Sequence, residues 1–256
     1  MKIKLNKATI DYEILGSGTP IVMFNGFATD RKTMMGCMEP IFEDLPGYQR
    51  IYFDHPGVGK TKIHNSFNNY IEVLEVVEEF INNVVKGNRC LLAGYSFGGF
   101  LARYILAKSP EKIKGLLLIC PVVIPNLEKA NIEQNINTDV INNSVRINER
   151  IEKEVKYSMK NTDLEFLEKL RNNVKSNIKD SNSELNNDKV YNKPVLILTG
   201  KQDKEVGYKD AFKLLDLYPR ATFCVLDKAG HNLQIEQDRL FKKLVEEWLM
   251  RVKKES

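Results

Sequence analysis

Short runs of consecutive apolar residues alternate with longer amphipathic stretches along most of the chain. Seven segments favour strands, at 10–15, 21–24, 51–53, 90–93, 116–119, 195–198 and 223–226. The last six are apolar on consecutive positions, which is typical of parallel strands buried on both faces of a sheet. Helical patterns separate the strands at 31–45, 68–86, 97–109, 207–218 and 235–252. This order predicts an α/β fold with a mostly parallel central sheet and helices on both faces, preceded by an antiparallel hairpin at the N-terminus.

The alternation stops between residues 122 and 193, where no strand-like run occurs. Amphipathic, charged stretches at 140–157 and 163–178 come first, and the polar segment 179–188 follows. Apolar positions in this part are Val145, Ile147, Ile151, Val155, Leu164, Phe166, Leu167 and Leu170. They predict a helical lid over a pocket. The alternative is a flexible, solvent-exposed insertion that has no function. The predicted division is therefore core at 1–121, lid at 122–193 and core at 194–256.

Residues 90–99 change from an apolar strand into Gly94-Tyr95-Ser96-Phe97-Gly98 and then into a helical pattern. This is the pattern of a nucleophile elbow, a sharp strand-to-helix turn that needs small residues two positions before and after the serine. The turn presents the serine hydroxyl beside helix amides that can bind an oxyanion. The same five residues also occur in ordinary glycine-rich turns, so the partners of Ser96 decide the interpretation.

A serine becomes a nucleophile at neutral pH only beside a base, usually an imidazole oriented by a carboxylate. The chain has three histidines, of which His55 in a Pro-Gly turn and His64 in a polar loop are interpreted as structural or exposed. His231 follows the last apolar strand, and Asp203 follows the one before it. Each alone has an ordinary alternative, such as a helix cap. Because parallel strands end at one edge of a sheet, we predict that Ser96, Asp203 and His231 meet there.

Composition and charge exclude several other classes of protein. The 256 residues carry a net charge of +4, and basic and acidic residues are interspersed without a basic stripe that would indicate nucleic acid. No apolar segment approaches the roughly 20 residues that span a bilayer, so a cytoplasmic location without membrane insertion is the default expectation. The cysteines lack Cys-x-x-Cys spacing and are interpreted as buried, reduced thiols. They are Cys37, Cys90, Cys120 and Cys224.

Gly59-Lys60-Thr61 imitates the end of a phosphate-binding loop. Such a loop needs a glycine five residues before Gly59, and Asp54 stands there. The stretch 16–20 also lacks the third glycine of a dinucleotide fingerprint and is interpreted as a turn between strands. A nucleotide-binding function is therefore disfavoured.

On the elbow, the Ser-Asp-His order and the strand pattern, the chain resembles the α/β-hydrolase superfamily over nearly its full length. It is most similar to the capped members, which carry a helical lid after the sixth strand. The resemblance implies an α/β-hydrolase fold with an oxyanion hole formed by the backbone amides of Phe27 and Phe97. Two positions depart from the family pattern. Asn25 stands where many relatives have His, and His55 stands where Arg is common in the Asp-x-x-Gly-x-Gly turn at 54–59.

Together these observations predict a serine hydrolase that cleaves a small, apolar carboxylic ester. Ser96 would attack the carbonyl, His231 would accept the proton and Asp203 would orient the imidazole. An acyl-enzyme would form and be hydrolysed, with no metal or organic cofactor.

Substrate identity is less constrained than the chemistry. Tyr95, Asn25 and Met34 are the predicted substrate-pocket residues. The expected partner is a small-molecule ester or related acyl compound, and the pattern specifies no oligomeric state. Cleavage of thioesters, lactones or carbon–carbon bonds uses the same constellation in this superfamily. A lyase with the same triad and a ligand-binding sensor with the same fold are the alternatives from other functional classes.

Overall fold

A nine-stranded sheet runs through the centre of the computed structural model of the chain. The strands are β1 (Lys2–Lys4), β2 (Ala8–Leu15), β3 (Thr19–Phe24), β4 (Tyr48–Phe53), β5 (Lys62–Ile63), β6 (Cys90–Tyr95), β7 (Ile113–Ile119), β8 (Val195–Gly200) and β9 (Ala221–Leu226). Their order in the sheet is β1-β2-β4-β3-β6-β7-β8-β9, and β5 pairs with β2. The structure describes residues 1–67, 69–125, 128, 130–133, 136–141, 145–170 and 190–255.

The described helices lie mainly between these strands. They are α1 (Arg31–Phe42), α2 (Tyr70–Val85), α3 (Phe97–Lys108), α4 (Val145–Met159), α5 (residues 164–170), α6 (Lys209–Phe212), α7 (Leu233–Glu236) and α8 (Asp238–Lys254). Helices α1 and α8 pack on each other and on the sheet, as do α2 and α3, with Phe80 of α2 against Tyr12 of β2 and Phe53 of β4. None of the helices in the described residues is long and apolar enough to cross a membrane.

The strand directions confirm the predicted sheet. Strands β4, β3, β6, β7, β8 and β9 pair in parallel, whereas β1 and β2 form the antiparallel hairpin at one edge. Every residue of β6 and β8 is buried, because helices cover both faces of the central strands. All parallel strands therefore present their carboxyl ends, and the loops that follow, at the same edge.

Two details differ from the sequence-based expectation. Strand β9 is half-buried along most of its length because it is the last strand of the sheet, and Cys224 on it is only partly buried. The other three cysteines are buried, and all four are free thiols, as predicted. The helix expected at 207–218 is instead the short α6 followed by a 3-10 turn at Lys213–Asp216.

The chain between β7 and β8 contains α4 and α5. In α5 the side chains of Leu167 and Leu170 are buried, whereas Leu164 is exposed. The side chains of Val145 and Val155 and the segment 171–189, which includes the polar stretch 179–188, lie outside the described residues. The boundaries of the lid at 122 and 193 stay a prediction.

Candidate active site

Ser96 sits in a strained turn between β6 and α3. Its backbone has φ 53° and ψ −118°, a region that residues other than glycine rarely occupy. A Cβ atom on Gly94 would clash with the backbone of Gly98, and one on Gly98 would clash with the carbonyl oxygens of Phe24 and Asn25. The two glycines thus let the turn close tightly against the end of β3.

Substituting alanine at Gly98 is expected to cost about 3 kcal/mol or more of unfolding free energy, because the obstructing atoms are backbone and cannot rotate away. For a chain of this size that corresponds to a fall in Tm of roughly 10 °C. Gly36 is the matched control, since it is also in a helix and the nearest atom to an added Cβ is 3.5 Å away. Gly36→Ala should be neutral or stabilise by up to about 1 kcal/mol. Equal Tm values for the two variants would contradict the described packing.

The fold brings Ser96, Asp203 and His231 together. His231 Nε2 is 2.9 Å from Ser96 Oγ, and His231 Nδ1 is 2.8 Å from Asp203 Oδ2. Asp203 Oδ1 accepts hydrogen bonds from the backbone N–H groups of Glu205, at 2.8 Å, and Val206, at 3.1 Å. A carboxylate only accepts, so Nδ1 carries the proton and Nε2 is free to accept from the Ser96 hydroxyl. This is the geometry that a serine–histidine–acid relay requires.

Charge and burial shift the pKa values of the histidine and the aspartate in opposite directions. Burial alone would lower the pKa of His231, but the neighbouring carboxylates, Asp203 first and then Glu205 and Glu236, together outweigh burial and raise it above its ordinary value of 6.5. Burial alone would raise the pKa of Asp203, but the charge of His231 and the hydrogen bonds to Asp203 lower it below 3.8. Both shifts stabilise the ionised pair, so Asp203 is a carboxylate whenever His231 accepts a proton.

Phe97 directly follows Ser96, and its ring packs edge-to-face with that of Phe27, with centroids 6.1 Å apart. Phe97 is the first residue of α3, so its N–H has no partner inside the helix. Across the described ranges, neither the N–H of Phe97 nor that of Phe27 donates a hydrogen bond. Both amides are therefore without an acceptor in these ranges, and their use as an oxyanion hole stays a prediction.

Two buried side chains brace the loop that carries Phe27. Asn25 Nδ2 donates to the carbonyl of Thr29, four residues later. His55 has its Nε2 3.2 Å from the carbonyl oxygen of Gly26 and its Nδ1 3.2 Å from that of Pro56. Burial lowers the pKa of His55, so the neutral ring donates to one of the two carbonyls. Asn25 and His55, the two residues that differ from the family pattern, thus stabilise this loop.

The predicted pocket residues lie in different surroundings. The Tyr95 ring is 5.2 Å from the His231 ring, and its hydroxyl is 3.3 Å from Asn232 Oδ1. Asn25 is fully buried and bonded within its own loop, and Met34 belongs to the hydrophobic core under α1. Tyr95 is therefore the predicted pocket residue closest to the reacting groups, and contact of Asn25 or Met34 with substrate stays a prediction.

The Asp54 turn has a structural role that the sequence did not specify. Asp54 Oδ2 is 2.8 Å from Arg31 Nη1 and accepts the N–H of Lys60 at 2.9 Å, and Asp54 Oδ1 accepts the N–H of Arg31. The same Arg31 guanidinium is 2.7 Å from Asp11 Oδ1. Asp54 therefore ties the loop after β4 to the start of α1. A Cβ on Gly59 would clash with the Asp54 side chain, which explains the glycine there.

Cys120, Asp203 and His231 offer ligand atoms within 4.8 Å of one another, and they form the one such group among the described residues. Two of the three, His231 and Asp203, are already joined by the hydrogen bond between Nδ1 and Oδ2. Burial, with Asp203 nearby, raises the pKa of Cys120 well above 9.0, so the thiol stays protonated and donates to the carbonyl of Gly230 at 3.7 Å. The arrangement favours the relay over a metal centre.

Sequence comparison finds one family model that matches most of the chain and curated relatives that match part of it. Residues 21–238 match the model of the family described as "Serine aminopeptidase, S33". The chain is 28% identical over 134 residues to the pimeloyl-(acyl-carrier protein) methyl ester esterase of Pseudoalteromonas atlantica, covering 52% of this chain and 48% of that protein. It is 30% identical over 108 residues to the enzyme of the same name from Shewanella oneidensis, covering 42% and 36%. The chain thus spans half or less of these curated relatives.

Structural comparison covers more of the chain. An α/β superfamily hydrolase from Oenococcus oeni PSU-1 superimposes with a TM-score of 0.82 at 26% identity. The match spans 96% of this chain and 97% of that one. The two proteins therefore share their architecture from end to end.

Proposed function

The chain belongs to the α/β-hydrolase superfamily, in the family described as serine aminopeptidase S33, and on this premise we propose that it is a serine hydrolase. The proposed reaction is hydrolysis of a small, apolar carboxylic ester through an acyl-enzyme. The observation that carries the proposal is the unbroken hydrogen-bonded series from Ser96 Oγ through His231 to Asp203. Such a series is what converts a weakly nucleophilic hydroxyl into an attacking group at neutral pH.

In the first half of the reaction, Ser96 Oγ attacks the ester carbonyl while its proton moves to His231 Nε2. Negative charge develops on the carbonyl oxygen, and the N–H groups of Phe27 and Phe97 stabilise it. The Asp203 carboxylate stabilises the imidazolium that has formed. When the tetrahedral intermediate collapses, His231 Nε2 returns the proton to the departing alcohol, and the acyl group remains on Ser96.

In the second half, water takes the place of the alcohol. His231 Nε2 removes a proton from this water as it attacks the acyl carbon, and the same two amides hold the second oxyanion. Collapse returns the proton to Ser96 Oγ and releases the carboxylic acid. Each proton moves between Nε2 and an oxygen, so these steps use only groups of this chain and water.

An apolar substrate is supported by the aromatic surroundings of the elbow. The Phe97 ring packs against Phe27, His55, Tyr70 and Phe100, with ring centroids between 5.2 and 6.1 Å apart. The two curated relatives are named for cleaving a methyl ester, whose alcohol is small. We therefore propose that the substrate is an ester of a short alcohol with an apolar acyl chain.

We also propose that residues 122–193 act as a lid over this site. Thr162 Oγ1 lies 3.2 Å from the carbonyl oxygen of Ala28, next to Phe27, and α4 packs against α7 just beyond His231. A Cβ on Gly230 would lie 3.2 Å from Ile141 Cδ1, so the insertion also reaches the loop of the proposed base. These contacts with the loops that carry Phe27 and His231 support the proposed cover over the site.

The experiment that tests the proposed function is a rate comparison across acyl substrates. We expect p-nitrophenyl esters to be hydrolysed, with kcat/KM rising from acetate towards medium chains as the apolar surroundings are filled. A matched thioester, a lactone and a carbon–carbon substrate test the other bond types. Turnover of the carbon–carbon substrate alone would contradict the esterase proposal, and so would a ligand that raises Tm and is recovered unchanged when none of the esters is hydrolysed.

The pH dependence of ester hydrolysis should reflect the raised pKa of His231. Only the neutral imidazole accepts the Ser96 proton, so kcat/KM should be constant at high pH and fall about tenfold per pH unit below the pKa. Because the carboxylates around His231 raise that pKa, the midpoint should lie above 6.5. A kcat/KM profile with a p-nitrophenyl ester measures it. A midpoint below 6.5 would mean that burial, and not the neighbouring carboxylates, sets the pKa of the base.

A further inference from the structure

Glu205 lies beside the proposed base, at the nitrogen that exchanges protons with the substrate. Its carboxylate Oε2 is 3.6 Å from His231 Nε2, and Ser96 Oγ is 2.9 Å from the same nitrogen. The Glu205 side chain is 66% exposed, so it faces the open side of the imidazole. In the proposed reaction the departing alcohol must also approach Nε2. The alcohol therefore leaves close to the Glu205 carboxylate.

The position of Glu205 is tied to the relay. Its backbone N–H donates to Asp203 Oδ1, while Asp203 Oδ2 holds His231. The next residue, Val206, donates to the same oxygen Oδ1. The turn that carries Glu205 is thus anchored by the carboxylate that orients the base.

No cation neutralises Glu205 in the part of the chain that the structure describes, where its one ion-pair partner is His231. The adjacent Lys204 directs its Nζ to Thr138 Oγ1, 3.5 Å away. Besides Asp203 and Glu205, the carboxyl group near His231 is that of Glu236. This side chain is buried, and burial raises its pKa. Glu205 is therefore the exposed negative charge at the place where the alcohol leaves.

We propose that Glu205 makes the site select esters whose alcohol carries a positive charge and disfavour esters whose alcohol carries a negative charge. This inference rests on the proposed function, because it requires His231 Nε2 to protonate a departing alcohol. Opposite charges a few ångströms apart attract, but solvent around an exposed side chain weakens the attraction. The expected discrimination in kcat/KM is therefore about three- to tenfold rather than several orders of magnitude.

The test compares three esters with the same acyl group and alcohols of different charge. These are the cationic choline ester, its neutral isostere the 3,3-dimethylbutyl ester, and the anionic ester of glycolic acid. The intact protein should hydrolyse the choline ester about three- to tenfold faster in kcat/KM than the neutral one, and the anionic ester more slowly than both. Raising the salt to about 1 M, where charges more than about 3 Å apart are screened, should bring the three rates together.

Variants assign the discrimination to Glu205. Glu205→Gln should lower the ratio of cationic to neutral ester about three- to tenfold, and Glu205→Lys should lower it further. Glu246→Gln is the matched control, since Glu246 pairs with Lys243 on α8, and it should leave the ratio unchanged. Unaltered ratios in Glu205→Gln, or a wild-type ratio of one that salt does not change, would overturn the inference.

The two proposals fail differently in this experiment. If all three esters are hydrolysed at equal rates, the hydrolase proposal stands and the role of Glu205 is rejected. If none is hydrolysed by folded protein that also leaves p-nitrophenyl esters intact, the proposed function is rejected and the inference falls with it. Circular dichroism and Tm establish that each variant is folded. Because the Glu205 side chain is exposed, its substitution is expected to leave the fold intact.

Discussion

Replacing Ser96 by alanine is expected to lower kcat for ester hydrolysis by about 10⁴- to 10⁶-fold, because no other group in the relay can form the acyl-enzyme. The residual rate would come from substrate binding and from the amides of Phe27 and Phe97, which remain in place. The measurement is kcat with a p-nitrophenyl ester under saturating substrate, together with KM. Since the substitution removes only the hydroxyl oxygen, KM should change little.

The fold of Ser96→Ala is not expected to change. Alanine and serine pay a similar cost for the positive φ at this position, so Tm should stay within a few degrees. Loss of activity with an unchanged Tm assigns the effect to chemistry. If the variant keeps activity within about tenfold of the parent, the nucleophile must be another group, and the esterase mechanism described above is wrong.

Asp203→Asn should lower kcat by about 10⁴-fold. Asparagine has nearly the same shape, but its amide can donate to the ring and so favours the tautomer with the proton on Nε2, which cannot accept from Ser96. The negative charge that stabilises the His231 imidazolium is also lost. The hydrogen bond between Asp203 and His231 at 2.8 Å therefore predicts a large loss in kcat with little loss of substrate affinity.

Asp210→Asn is the matched control for this prediction. Asp210 is also a buried acid in the segment after β8, but its carboxylate bonds to Lys213 and to the N–H of Asn131. Its substitution should leave kcat within about twofold while lowering Tm. If Asp203→Asn were as active as Asp210→Asn, a different carboxylate, such as Glu236 or Glu205, would have to orient the base.

The mostly parallel sheet was predictable from the sequence because buried parallel strands are apolar on consecutive positions. Burial on both faces of β6 and β8 leaves little freedom for other residue types. The candidate site followed from the same fact. Ser96, Asp203 and His231 each follow a parallel strand, and the sheet carries the three loops to one edge.

Other features depend on loop backbone and side-chain direction, which residue patterns do not encode. Nothing in the spacing of Asp54 and Arg31 indicates that they are bonded, since the contact depends on how two loops cross. The bracing of Gly26 by His55 has the same origin. Glu205 was overlooked because a glutamate two residues after Asp203 has the appearance of an ordinary surface residue. The sequence feature that could have indicated Glu205 is its position two residues after Asp203, the proposed triad acid, which lies in a tight turn.

The pattern of apolar residues also did not predict that β9 lies at the edge of the sheet. Its residues are as apolar as those of the central strands, yet most are half-buried, because no strand pairs with β9 on its outer side in the described sheet. Likewise, the helical periodicity at 207–218 was present, but the chain turns into a 3-10 segment after α6. Tertiary packing overrides local preference in both cases.

The central claim is that Ser96 is an activated nucleophile, and the most direct test is reaction of the intact protein with a fluorophosphonate. This reagent phosphonylates an activated serine hydroxyl with loss of fluoride, and intact mass with peptide mapping locates the adduct. The account predicts one adduct per chain, on Ser96, absent in Ser96→Ala and formed much more slowly in Asp203→Asn. An adduct on a different residue, or none in folded protein that also fails to hydrolyse small esters, would contradict it.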